Sequence, residues 1–404
     1  MQTIIILGRQ PALGIAELEC LYGHKALTPV GESAVLVDRP AQSIPLARLG
    51  GSIKVCDYLS SVPSAQWPLI QETLSKITPG LVAKLPDGKI RLGLSTYGLR
   101  MTNKTLQVAG LSLKKAIKHS GKSIRVIPNT APELNTAQVI HNQLTGPTGI
   151  EFVIVRSGGR TLIGRTRQVQ DIAAYAARDQ KRPKRDARIG MLPPKLAQII
   201  VNLAVASAPG GNAAVTDSQA SSIVLDPFCG TGVVLQEATL MGYRVAGSDL
   251  DERMVSYTDT NLQWLDSQIL RRPASRPQFL VTADATNHTW QPAPDFIACE
   301  TYLGRAFSTE PAPAVLREVM SDVDTIHRKF LQNVARQTPA GFRLCIAVPA
   351  WKTKTGFLHL KMLDRLSDLG YNRIDLVHAR QPDLLYYREN QIVARELVIL
   401  QRTS

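Results

Sequence analysis

Ile223-Val224-Leu225-Asp226-Pro227-Phe228-Cys229-Gly230-Thr231-Gly232 is the stretch that decides how the C-terminal half of this chain is read. A short apolar run meets a glycine turn, then the helical pattern Val233 to Met241, then a second apolar run, Tyr243 to Ser248. Strand, glycine turn, helix and strand make a nucleotide-binding βαβ unit. Its glycines let the backbone approach a ligand, and an acid ending the second strand can bond ribose hydroxyls. Asp249 stands at that place. A dinucleotide site would want a third glycine where Leu235 stands and nothing acidic beside the pyrophosphate, yet Asp226 opens the turn. An anion there repels phosphate and suits a ligand carrying an ammonium and a sulfonium, the charge pattern of S-adenosylmethionine.

Working outward, further strands continue a doubly wound pattern. Gln278 to Val281 ends near Asp284, Asp295 to Cys299 ends at Glu300, and Phe342 to Val348 follows. Ligands of such sheets lie at the carboxyl ends of the strands, so Asp284 is expected at the adenine edge and Glu300 at the transferred methyl. Tyr371 to Val377 and Ile392 to Leu400 read as a closing antiparallel pair. The expected fold class is α/β, a Rossmann-like methyltransferase sheet of seven strands with the last pair antiparallel. Expected donor contacts are Asp226, Phe228, Gly230, Thr231, Gly232, Asp249, Leu250, Asp284 and Ala285.

Toward the N-terminus, Pro193-Pro194 opens a helix to about Ala206, and Ala208 to Ser221 reads as a loop. Residues 171–188 hold Arg178, Lys181, Arg182, Lys184, Arg185 and Arg188, a basic connector. From Lys89 basic density also rises, with Lys114, Lys115, Lys118 and His119 on one helix, and Ser157-Gly158-Gly159 joins two strands as a hairpin turn. The opening reads strand Thr3 to Leu7, helix Leu13 to Tyr22 and strand Ala34 to Val37. A helix-strand pair follows at Ile44 to Leu59, then a helix over Trp67 to Lys76 before the breakers Pro79-Gly80. The expected domains are 1–85 and 86–166, both α+β, a basic linker 167–193 and the catalytic domain 194–404.

A chain of 404 residues exceeds one ordinary core. Its net charge of +14 attracts polyanions, nucleic acid first among them. The five cysteines are scattered and lack any CxxC pair, against both disulfides and a metal cluster, so no metal is expected. No leader and no membrane span is legible, and a reducing cytoplasm is the expected setting.

Beyond these features the chain resembles a known family, the THUMP-containing tRNA guanine-N2 methyltransferases, nearly end to end. The carriers are Asp226 to Gly232 (DPFCGTG), Gly247 to Asp251 (GSDLD), Arg182 to Ala197 (RPKRDARIGMLPPKLA), Leu7 to Leu18 (LGRQPALGIAEL) and the REL before Val398. The resemblance implies an N-terminal ferredoxin-like domain, a THUMP domain over about Lys89 to Arg165 that holds the tRNA acceptor end, and Asp249 on the donor ribose. It implies tRNA as partner, with Lys114, Lys115, Lys118, Arg182, Lys184 and Arg185 as RNA contacts. Some relatives work with a small activating subunit, and a monomer is otherwise expected.

The motif that presents the base departs from the family pattern Asp-Pro-Pro-Tyr-Gly: here it is Glu300-Thr301-Tyr302-Leu303-Gly304. Glu300, Thr301, Tyr302 and Gly304 are the catalytic candidates, Glu300 accepting from the exocyclic amine and Tyr302 stacking a flipped base. Without the prolines the backbone that aims these groups is expected to be freer. Two alternatives stay open: a methyltransferase for another nucleic-acid atom, and an RNA-binding relative without chemistry. Cys299 or Cys229 as a nucleophile would give a 5-methylpyrimidine product, although both also suit simple packing.

Overall fold

The computed structural model describes residues 1–118, 121–186, 191–206, 221–273, 276–307, 309–389 and 391–403. The chain divides into two compact units: residues 1–15, 25–47 and 51–172, and residues 16–24, 48–50 and 173–404. The loop read over Ala208 to Ser221 falls outside the described residues except at its last position, as do His119, Arg188 and part of the connector motif.

The first unit is built on one sheet in the order β2-β3-β1-β4-β8-β7-β5-β6. Its strands are β1 (Thr3–Leu7), β2 (Leu27–Val30), β3 (Ala34–Val37), β4 (Ser52–Val62), β5 (Ile90–Tyr97), β6 (Ile124–Val126), β7 (Gly149–Ser157) and β8 (Arg160–Val169). Its helices are α2 (Trp67–Ala83), α3 (Asn103–Lys118) and α4 (Thr136–His141), while α1 (Pro11–Tyr22) spans both units. The segment read as a helix-strand pair at Ile44 to Leu59 is a single 3-10 turn, Leu46–Arg48, followed by the long β4. This strand takes β1 on one edge and β8 on the other, so one sheet runs through residues on both sides of position 85.

β7 and β8 form the expected hairpin, Ser157 opposite Arg160, with Gly158 at φ +59° where a side chain would be strained. α2 outruns its expected end and passes through Pro79, which is exposed. Ile70, Leu74, Thr78 and Val82 are buried at four-residue spacing on both sides of the proline, and this continuous apolar stripe outweighs the lost hydrogen bond. A buried polar knot crosses the same sheet. Lys54 Nζ donates to Glu151 at 2.5 Å and to the Leu134 carbonyl at 2.9 Å, and Glu151 also accepts from Ser95 and Thr166.

The second unit holds a sheet in the order β11-β10-β9-β12-β13-β17-β15. Its strands are β9 (Ile223–Asp226), β10 (Arg244–Asp249), β11 (Leu280–Thr282), β12 (Phe296–Glu300), β13 (Arg343–Thr353), β14 (Gly356–Leu358), β15 (Tyr371–Arg373), β16 (Leu385–Tyr386) and β17 (Val393–Arg402). β11, β10, β9, β12 and β13 are parallel, and β17 inserts antiparallel between β13 and β15. This is the expected α/β sheet with an antiparallel close, but with nine strands rather than seven, because β14 pairs with β13 and β16 with β17 beside the seven-strand path. Helices α6 (Pro194–Val205), α7 (Val233–Leu240), α8 (Glu252–Trp264) and α9 (Pro313–Ala335) belong to the same unit, as does α5 (Ile172–Gln180) from Ala173 onward. The core gathers Leu225, Ile297, Phe330, Leu344, Ile346, Trp351 and Val398, drawn from sheet and α9 alike.

The sheet order reverses direction between β9 and β12, since β10 and β11 lie on one side of β9 and β12 and β13 on the other. At such a point the connections leave in opposite directions and open a crevice beyond the strand ends. Asp226, Asp249 and Glu300 end the strands that border it.

Candidate active site

The glycine turn is fixed by its own backbone and by α8. Gly230 and Gly232 adopt φ of +52° and +81°, which only glycine takes without strain. A Cβ on Gly232 would lie 2.9 Å from the Thr258 Cγ2. Gly230 N–H donates to Asp249 Oδ2 at 2.8 Å, and Thr258 Oγ1 donates to the Gly230 carbonyl at 2.8 Å. Asn261 Nδ2 donates to the Thr231 carbonyl at 2.8 Å. The turn therefore presents a set backbone. Thr258 and Asn261, three residues apart on one face of α8, are positioning residues that sequence reading missed. Their spacing was the available signal.

Asp226 is buried at the end of β9 and accepts the Phe228 N–H at 3.0 Å. Burial pushes its pKa well above the usual carboxylate range, and the carboxylates of Asp249 and Glu300 push it further while the Phe228 bond opposes them. Asp249 accepts Asp251 N–H at 3.0 Å as well as Gly230 N–H, and burial raises its pKa too. Asp226 is thus coupled electrostatically to Asp249 and Glu300 at the crevice, and a cationic guest there would favour their ionised forms. Leu250, 74% exposed, stands beside Asp249, and Phe228 packs edge-on against Phe330 with centroids 5.0 Å apart. Asp284 lies two residues beyond β11, its Oδ1 accepting both the Thr286 N–H and hydroxyl at 2.8 Å. Ala285 is buried in the core.

Glu300 ends β12 and pairs with the buried Arg395 guanidinium of β17. Burial raises its pKa and Arg395 lowers it. The backbone after it is held rather than free. Thr301 N–H donates to the Ala347 carbonyl at 3.0 Å, and Thr301 Oγ1 lies 2.6 Å from His327 Nε2. His327 Nδ1 lies 2.7 Å from the Val323 carbonyl, so Nδ1 carries the proton and Nε2 accepts from the threonine. Burial drops the His327 pKa to about 4, keeping the ring neutral. Hydrogen bonds thus fix this backbone without prolines. Gly304 turns the chain at φ +82°, where a Cβ would meet Val323 at 2.9 Å. Tyr302 is 47% exposed at the crevice end of β12.

Cys229 and Cys299 are buried, and burial raises both thiols far above neutrality, which removes them as thiolate nucleophiles. Among the described residues no group of His, Cys, Asp or Glu could hold a metal ion, and no helix is long and apolar enough to cross a membrane.

The described part of the basic stretch from Ala173 belongs to the second unit and is itself held by hydrogen bonds. Arg178 of α5 is buried and bonds Glu237 of α7 at 2.7 Å, and Tyr175 bonds Gln198 of α6 at 2.5 Å. Lys184 exchanges backbone hydrogen bonds with the Asn261 amide at 3.0 and 2.9 Å, so the residue that holds the Thr231 carbonyl also anchors the basic stretch. Arg185 is exposed, as are Lys114 and Lys115 on α3, whereas the Lys118 side chain lies outside the described residues. Arg182 is not on an RNA-facing surface: it is 3% exposed, and desolvation lowers its pKa.

Residues 182–269 match the family described as RMKL-like, methyltransferase domain. The tRNA (guanine(10)-N2)-dimethyltransferase of Methanothermobacter thermautotrophicus is 32% identical over 163 residues, 40% of this chain and 39% of that protein. The enzyme of the same name from Pyrococcus abyssi is 27% identical over 60% of this chain and 67% of its own length. The chain thus matches about two fifths of the first relative's length. In fold it is similar to TrmN from Thermus thermophilus, with a TM-score of 0.50 at 16% identity over the whole of both chains. It is also similar to a possible methylase from Clostridium difficile 630, with a TM-score of 0.52 at 11% identity, covering all of this chain and 98% of that one. Residues 182–269 are therefore similar to the RMKL-like methyltransferase domain, and part of the chain is similar to enzymes named tRNA (guanine(10)-N2)-dimethyltransferase.

Proposed function

We propose that this chain transfers a methyl group from S-adenosylmethionine to the exocyclic N2 of a guanosine in tRNA. The observation that carries the reading is the meeting of Asp226, Asp249 and Glu300 at the crevice beside a glycine turn held at both Gly230 and Thr231. The relatives' names and the charge of +14 support tRNA as the substrate.

The donor supplies an electrophilic methyl on sulfur. Asp249 retains lone pairs for the ribose hydroxyls although it already accepts two backbone N–H groups. A cationic donor group beside Asp226 would favour its ionised form, against the burial that raises its pKa. Glu300, whose pKa burial raises and Arg395 partly brings down, accepts from the guanine amine and aims the amine lone pair at the methyl. Tyr302 stacks the flipped base, and Glu300 takes the proton the amine loses. The fixed Thr301 backbone holds these groups in attack geometry, where an error near 1 Å costs about 100-fold in rate. Residues 89–165, with Lys114 and Lys115, grip the tRNA as a THUMP domain, and Lys184 and Arg185 are further RNA contacts. The chain works in the cytoplasm.

The test is donor binding by calorimetry followed by transfer to unmodified tRNA. Donor binding without transfer to any RNA would favour the relative without chemistry. Transfer to an atom other than N2 would favour a changed target, the reading that the departure at Glu300 to Gly304 motivates.

A further inference from the structure

The crevice end of the catalytic sheet carries a surface that neither the donor nor the amine uses. β13 outruns β12: Glu300 pairs with Ala347, and β13 continues to Thr353. β14 folds back on this extension, Phe357 opposite Lys352 and Leu358 opposite Trp351. β16 pairs with β17 beside it, Tyr386 opposite Arg395, the residue that holds Glu300. The two hairpins touch through the rings of Phe357 and Tyr387, centroids 5.3 Å apart and planes tilted by 53°.

Phe357 packs on Ala350, Leu385 and Ala394, which anchors the ring pair to the sheet. Tyr387 is 36% exposed and Leu358 42%. Lys352, opposite Phe357, Lys354 in the turn that follows, and Arg388 next to Tyr387 in the chain are all exposed. The acid of the same stretch, Glu389, is exposed too, and its backbone carbonyl accepts from Lys352 Nζ at 3.0 Å. Every base has a π-face that an exposed ring can take, and cations beside the ring suit the phosphates of the same nucleotides. A protein partner would find little apolar area beyond these rings, and three cations in a short span favour a polyanion.

We propose that the two hairpins form a binding platform for the RNA strand flanking the target nucleotide. Tyr387 stacks an unpaired base, and Lys352, Lys354 and Arg388 meet its phosphates. The platform rests on the reading of this chain as an RNA methyltransferase.

The test compares the parent, Tyr387→Ala, Tyr387→Phe and the double variant Lys352→Gln/Lys354→Gln. For each, tRNA affinity is measured across salt, together with S-adenosylhomocysteine affinity and kcat/KM for methylation. Tyr387→Ala should lose about 5- to 100-fold in tRNA affinity, the worth of one stacked base. Tyr387→Phe should retain it, the lysine variant should flatten the salt dependence, and cofactor-product affinity should hold in all. A Tyr387→Ala protein within twofold of the parent overturns the platform, as does a loss that phenylalanine fails to restore. If the parent itself neither binds nor methylates RNA, the proposed function falls and the platform with it. If the parent is active and Tyr387→Ala matches it, the platform alone falls.

Discussion

Replacing Gly232 by alanine tests whether the glycine turn forms the donor site. Gly232 sits at φ +81° as the N-cap of α7, and a Cβ there would lie 2.9 Å from Thr258 Cγ2 and 3.0 Å from its Oγ1. Left-handed backbone costs a non-glycine residue about 1–2 kcal/mol. The contact adds a second cost, because Thr258 must shift, and it is the donor to the Gly230 carbonyl. Overpacking of this kind costs roughly 1–3 kcal/mol. The variant should therefore lose about 2–5 kcal/mol in all, and part of the loss should reach the donor through the displaced Gly230 and Thr231 backbone. Gly341→Ala is the control, since Gly341 has φ +84° but nothing within 4 Å of its Cβ. It should lose about 1–2 kcal/mol of stability and nothing in affinity. Denaturation in urea gives the stability and calorimetry the S-adenosylmethionine affinity. If both variants bind the donor as the parent does, the turn is not the donor cradle.

Further expectations concern the amine side and pH. Glu300→Gln keeps the size of the side chain but removes its charge, so kcat should fall by about 100-fold or more while donor affinity holds, as single-turnover kinetics would read. Arg395→Met should lower kcat with tRNA affinity unchanged and shift the acidic limb of the pH profile upward, because Glu300 loses the cation that opposes its raised pKa. His327 is neutral when folded, with its pKa depressed to about 4 from 6.5, so the unfolded chain binds the extra proton between those values. Stability should be intact above about pH 6.5 and fall by roughly 3 kcal/mol as pH drops to 4, and denaturation of His327→Gln should show a flatter slope in that window. Reversal of Lys184 and Arg185 to glutamate should weaken tRNA binding and flatten its salt dependence, which filter binding across salt measures.

Much of the catalytic sheet was legible because its signals are local. The glycines and Asp226 sit in one turn, and Asp249 and Glu300 end apolar runs, so the strand ends that frame the crevice could be read directly. What escaped reading depends on partners far along the chain. α2 runs through Pro79 because buried residues on both sides hold it to the sheet, a tertiary effect that no local breaker reveals. β4 is long because β1 and β8 flank it, the latter more than a hundred residues downstream. The backbone after Glu300 was expected to be loose without prolines, yet His327 and the Ala347 carbonyl fix Thr301. Arg182 sits in a run of basic residues and reads as solvated, but the fold turns it inward.

The measurement that bears most directly on the central claim is transfer from labelled S-adenosylmethionine to unmodified total tRNA, followed by nucleoside analysis. The account predicts label in N2-methylated guanosine, lost in Glu300→Gln. Label in another nucleoside, or none from a protein that binds both donor and tRNA, would contradict it.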